Sequence, residues 1–148
     1  MSEISTLRLY LLRSLYLFIA VGLSIYVWPA ILSPSSKVVD SHTVVQAMLG
    51  TLSLLSLLGL RYPLKMLPLL IFELGWKIFW IVAFALPMWL GPGLNEYARD
   101  TLLETAVGVV LIPLILPWGF IFRNYVRAPS TPWFKTGYSG TTDHPQSV

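Results

Sequence analysis

A chain of 148 residues that is 55% hydrophobic and only 11% charged, with a mean hydropathy of +0.70, is far from the balance of a soluble domain and excludes that class as the starting assumption. The formal net charge of +3 would suit a polyanion, but the ten Lys and Arg are scattered between apolar blocks, so no nucleic-acid partner is expected. With no cysteine there is no disulfide, thiolate metal site or thiol nucleophile, and His42 and His144 do not supply a haem site in the apolar core, so no cofactor or metal is expected.

Four blocks approach the roughly 20 apolar residues that cross a bilayer: about 10–32, 43–60, 66–90 and 102–122. The first follows Arg8 and contains Arg13, as a signal peptide would, but it exceeds the usual signal core and "WPAILSPSS" has no small-x-small cleavage site, so a retained span is expected. After it, "SPSSKVVDSH" (33–42) is a polar loop; Asp40 and His42 within it are one carboxylate and one imidazole, which is not a metal site. The second block is the shortest; Gln46 can bond across a bundle, and Gly50 and Gly59, like Gly108 further on, permit close helix approach. The turn "RYPLK" (61–65) leads into the third block, and "GPGLNEYARD" (91–100) leaves it. In the fourth, Pro113 and Pro117 each remove a backbone donor, freeing carbonyls at Val109 and Pro113. From Ala128 on, residues 128–148 are rich in Pro, Gly, Ser and Thr and read as a flexible cytoplasmic tail, with Trp133 and Phe134 its only large apolar pair.

Short connections make neighbouring spans alternate in direction, so the expected fold is an all-α membrane protein, an antiparallel bundle of four transmembrane helices over residues 1–127. Seven basic residues (Arg8, Arg13, Arg61, Lys65, Arg123, Arg127, Lys135) fall on one side and two (Lys37, Arg99) on the other, which places both termini in the cytoplasm. Trp28 and Trp89 at the outer ends, and Tyr62, Trp118 and Tyr125 at the inner ends, occupy the interfacial positions that aromatic anchors favour.

The stretch "FELGWKIFW" (72–80) sets Glu73 and Lys77 inside the third span, with Lys77 near its midpoint. Acid before base at i and i+4 is the favourable order for a helical ion pair, and Trp76 and Trp80 share the same side, each with an indole N–H that needs a partner. A lone charge at the centre of a span costs at least about 2.5–3.5 kcal/mol, so this face is expected to point into the bundle. Matching depths puts Tyr16 and Ser56 near Glu73, puts Gly22, Ser24, Thr51 and Ser53 near Lys77, and makes the carbonyls of Val109 and Pro113 candidate acceptors for Lys77. The pair serves either to fix helix register or to form part of a proton, ion or ligand site; Glu73, Lys77, Trp76, Trp80 and Tyr16 are the candidate residues. Glu104, read as interfacial, is the centre of a weaker candidate, an outer vestibule shared with Glu96 and His42.

No phosphate loop, zinc helix or nucleophile elbow is present, and no catalytic residues can be named. The segment "RYPLKMLPLLIFELGWKIFW" (61–80) resembles a stretch of small, uncharacterised bacterial four-span inner-membrane proteins, which implies a multi-pass protein of the bacterial inner membrane and attaches no activity. The layout is similar to DoxX-like four-helix proteins in span count alone. Size and short loops favour a non-enzymatic protein that works by association, as a homo-oligomer or as an accessory subunit of a membrane complex. The alternatives are a small oligomeric transporter or channel using the Glu73 and Lys77 pair, and an enzyme acting on a lipid or quinone with Trp76 and Trp80 lining an apolar ring site.

Overall fold

The computed structural model describes residues 4–33 and 39–131; Lys37, Lys135, His144 and the expected tail beyond Thr131, with Trp133 and Phe134, lie outside the described residues. Among the described residues every regular element is a helix: α1 (Thr6–Leu32), α2 (Ser41–Arg61), α3 (Leu67–Leu90), α4 (Glu96–Ile115) and α5 (Trp118–Val126). Three of them, α1, α2 and α3, are long and apolar enough to cross a membrane, and α4 with α5 makes a fourth if that bent pair is one span.

Polar caps decide where the helices begin. Ser5 accepts the Arg8 N–H, the Asp40 carboxylate accepts the Thr43 N–H at 3.0 Å, and the Asn95 side chain accepts the Ala98 N–H at 2.8 Å, so each satisfies a donor that the first turn leaves open. The last of these corrects the sequence expectation for the fourth block. Hydropathy starts it at 102, whereas the Asn95 cap, with acidic Glu96 at the positive end of the helix dipole, starts α4 at Glu96. Glu104 is therefore more than two turns inside a helix and not in its opening turns.

Proline decides the breaks. The 102–122 block is not one straight rod: α4 ends at Ile115, and α5 leaves it at 72°. Pro117 has no N–H to give the Pro113 carbonyl, and that carbonyl instead accepts the Trp118 indole N–H at 2.8 Å. In α3, Pro87 is preceded by a widened π turn over Ile81–Ala85, in which Leu86 N–H reaches back five residues to the Ile81 carbonyl. The wider turn accommodates a ring that would otherwise press on the carbonyl one α-turn earlier, and α3 continues through it.

Packing follows two helix pairs. Along α1 and α2, contacts run from Tyr16 beside Gly59 at one end, through the Trp28 indole donating to Ser53 Oγ at 3.0 Å, to Val27 and Ile31 beside Gly50 at the other. Gly59 is required here, since any Cβ would overlap the Tyr16 ring. The second pair is α3 with α4. The two pairs meet in one buried apolar cluster around Leu12, Tyr16, Leu67, Leu70, Ile112 and Leu116. At that same end the 61–65 turn offers two carbonyls to phenols: Tyr16 Oη donates to Pro63 O at 3.0 Å and Tyr125 Oη to Leu64 O at 3.3 Å. The segments around Arg13, Arg61, Lys65 and Arg123 are thereby gathered at one end of the molecule. Beyond the cluster the buried residues belong to one pair or the other, Val27, Gly50 and Leu52 in the first and Ala85, Ala98 and Thr105 in the second. Large apolar side chains cover the outside, among them Phe18, Ile25, Phe79, Leu103 and Leu114, as expected of surface in contact with acyl chains and not water.

Candidate functional site

Helical spacing alone brings the charged pair together. Glu73 and Lys77 lie one turn apart on α3, and Lys77 Nζ stands 3.0 Å from Glu73 Oε1. The second carboxylate oxygen, Oε2, accepts the Trp76 indole N–H at 2.7 Å. Lys77 Nζ also lies over the Trp76 ring, 4.1 Å from its centroid, close enough for a cation–π attraction that strengthens where water is excluded. Three side chains within one turn thus satisfy one another: both carboxylate oxygens are engaged, and the ammonium has an anion and a π face. Glu73 is only 3% exposed, while the Lys77 side chain retains 13%.

The partner helix makes room for the lysine. A Cβ built on Gly108 of α4 would come within 2.7 Å of Lys77 Cε and 3.0 Å of Cδ, so the lysine stem lies across the glycine backbone. This is the close approach for which a small residue is selected at a helix crossing. Next to it, between α1 and the α3–α4 pair, lies a cavity of about 430 Å³ bordered by Glu73, Lys77, Glu104, Gly108, Gly22 and apolar side chains of α1 and α4. Glu104 is one turn before Gly108, hence on the same face of α4, and among the described residues it makes no hydrogen bond or ion pair.

The other sequence-stated positions divide. Trp76 is part of the pair's own network, whereas Trp80 is half-buried in a shallow aromatic groove with Phe72, Phe79 and Phe84, and it borders no part of the cavity. Tyr16 is fully buried, but its hydroxyl goes to the Pro63 carbonyl and not to Glu73. Ser56 bonds the Leu52 carbonyl within its own helix. Of the small and polar residues expected near Lys77, Gly22 borders the cavity; Ser24 faces the α1–α2 groove, Ser53 holds Trp28, and Thr51 donates to the Ala47 carbonyl. Neither freed carbonyl receives Lys77, which pairs with Glu73, and Trp118 takes the Pro113 oxygen. The expected vestibule is also rearranged: Glu104 joins Glu73 and Lys77, while His42, exposed in the first turn of α2, and Glu96, exposed in the first turn of α4, border no part of that cavity.

Sequence reasoning expected close helix approach at Gly108 but did not name Lys77 as what crosses it, and it placed Glu104 with Glu96 and His42 and not beside Glu73 and Lys77. The signal for both was present, since Glu104 and Gly108 are spaced by four and lie on the face of α4 that meets the middle of α3, but it needed the helix start at Asn95 to be seen. Comparison with protein-family models, curated proteins and solved structures finds no match to this chain.

Proposed function

We propose that the chain is a multi-pass protein of the bacterial inner membrane, an antiparallel four-span bundle with both termini cytoplasmic, that works as a small oligomeric transporter or channel handling a proton, ion or small ligand at Glu73, Lys77 and Glu104. One observation carries this choice over a purely structural role: the ion pair borders a cavity of about 430 Å³ instead of being sealed by side chains. That volume falls in the range of roughly 300–1,000 Å³ typical of small-ligand sites, and a functional site is the default hypothesis for ionisable groups at membrane depth. The cluster of Arg and Lys at the end gathered by the 61–65 turn supports the cytoplasmic assignment of that end. The local resemblance of residues 61–80 to bacterial four-span proteins supports the compartment.

A second reading, association as an accessory subunit or homo-oligomer without flux, is favoured by the aromatic groove on α3, where Phe72, Phe79 and Phe84 are all exposed on one side of the bundle. Purified protein in liposomes loaded with a pH-sensitive dye separates the two. A transporter or channel collapses an imposed pH gradient faster than protein-free vesicles do. Flux indistinguishable from empty vesicles, with the protein correctly assembled, leaves the association reading.

A further inference from the structure

We propose that the cavity between α1 and the α3–α4 pair takes a lipophilic monovalent cation, with Glu104 as its counter-ion; the inference rests on the reading of this cavity as a ligand site and adds the chemical class. The charges around it are two carboxylates and one ammonium. Glu73 and Lys77 neutralise each other at 3.0 Å, and the remaining oxygen of Glu73 is held by Trp76. Glu104 is left over as a formal negative charge with no ion-pair partner among the described residues. Glu104 is an exposed residue at the border of the cavity, and a cationic head beside it restores charge balance there.

The rest of the wall selects the body of the ligand. Phe18, Leu23 and Leu111 supply apolar surface, and two residues of the α1 side, Phe18 at 61% and Tyr26 at 74%, are exposed where the cavity meets the outside of the bundle. Entry is therefore from the acyl chains, a route open to an apolar ion and not to a hydrated one. A bare alkali ion is disfavoured for a second reason, since replacing its hydration shell takes a ring of oxygens and, among the side chains of the lining, only Glu104 and the Tyr26 hydroxyl offer unengaged ones. Gly22 marks the space itself: a Cβ there meets no atom within 4 Å.

The test measures binding of tetraphenylphosphonium and of its anionic isostere tetraphenylborate to the purified full chain in detergent, by calorimetry. The cation is expected to bind saturably and at least about tenfold tighter than the anion, the size of effect carried by one charged contact. Glu104→Gln is expected to weaken the cation about tenfold or more, and Gly22→Leu, which fills the cavity, to abolish its binding with elution volume and helix content unchanged. Equal binding of the cation by Glu104→Gln, or preference for tetraphenylborate, overturns the cation assignment. If the anion binds and is lost in Gly22→Leu, the cavity stands as a ligand site and only the class is wrong; if neither probe binds, both the class and the ligand site fall.

Discussion

At the scale of single residues, the cost of each change is set by what it leaves unpaired. Lys77→Met strips Glu73 of its cation while leaving it 3% exposed, and such a broken buried pair costs about 3–5 kcal/mol. Trp76→Phe removes the 2.7 Å donor to Oε2 and leaves a smaller ring under Lys77, while keeping the ion pair, and is expected to cost less, about 1–3 kcal/mol. Thermal unfolding in detergent should therefore rank Lys77→Met below Trp76→Phe below wild type; the reverse order would mean that Lys77 is not the group that stabilises Glu73. Two glycines give a matched comparison. Gly59→Ala drives a methyl into the buried Tyr16 ring, an overpacking worth about 1–3 kcal/mol, whereas Gly22→Ala meets open space and replaces a poor helix former, a gain of up to about 1 kcal/mol. Opposite shifts in melting temperature are the expected outcome for these two.

At the scale of elements, the bend between α4 and α5 has a local cause that can be removed. Pro117→Ala restores the missing N–H, returns the Pro113 carbonyl to a backbone partner and releases the Trp118 indole. The 72° angle should then open toward a straight helix. Because the sequence has no cysteine, spin labels can be placed on Val110→Cys and Arg127→Cys alone, and the distance between them should lengthen in the proline variant. An unchanged distance would assign the bend to packing of α5 on the 61–65 turn through Tyr125. The first three long apolar helices were legible in the sequence to within a few residues, since apolar length coincides with a polar cap at the first two, Ser5 and Asp40, and with the breaker-rich 61–65 turn before the third. The fourth was not. Its start is written in Asn95, Glu96 and Asp100, polar residues that a hydropathy scan assigns to the preceding loop, and its end is written in a proline that hydropathy does not register as a break.

At the scale of the molecule, α1 with α2 and α3 with α4 each pack along their length, but the pairs share one apolar cluster near the 61–65 turn, and the cavity lies between α1 and the α3–α4 pair. This explains why the charged pair was readable and its surroundings were not. The i to i+4 spacing fixes Glu73, Trp76 and Lys77 from the sequence alone, whereas Glu104, Gly108 and Gly22 arrive from two other helices whose register no local pattern sets. It also explains why Tyr16, matched to Glu73 by depth, belongs instead to the shared cluster. The cytoplasmic assignment of that end has its own check. With single cysteines introduced at Pro92 and at Ser130, a membrane-impermeant maleimide applied to intact cells should label the first and not the second; labelling of Ser130→Cys alone would invert the topology.

The measurement that bears most directly on the role of the pair is a double-mutant cycle at Glu73 and Lys77, with thermal stability and pH-gradient flux read on the same preparations. Glu73→Gln combined with Lys77→Met removes both members of the buried pair, so its stability should recover to within about 1–2 kcal/mol of wild type, while flux should remain lost, because two of the three charged groups that face the cavity are gone. A double variant that is as stable as wild type and conducts as well would contradict a functional pair and leave Glu73 and Lys77 as a device for fixing helix register.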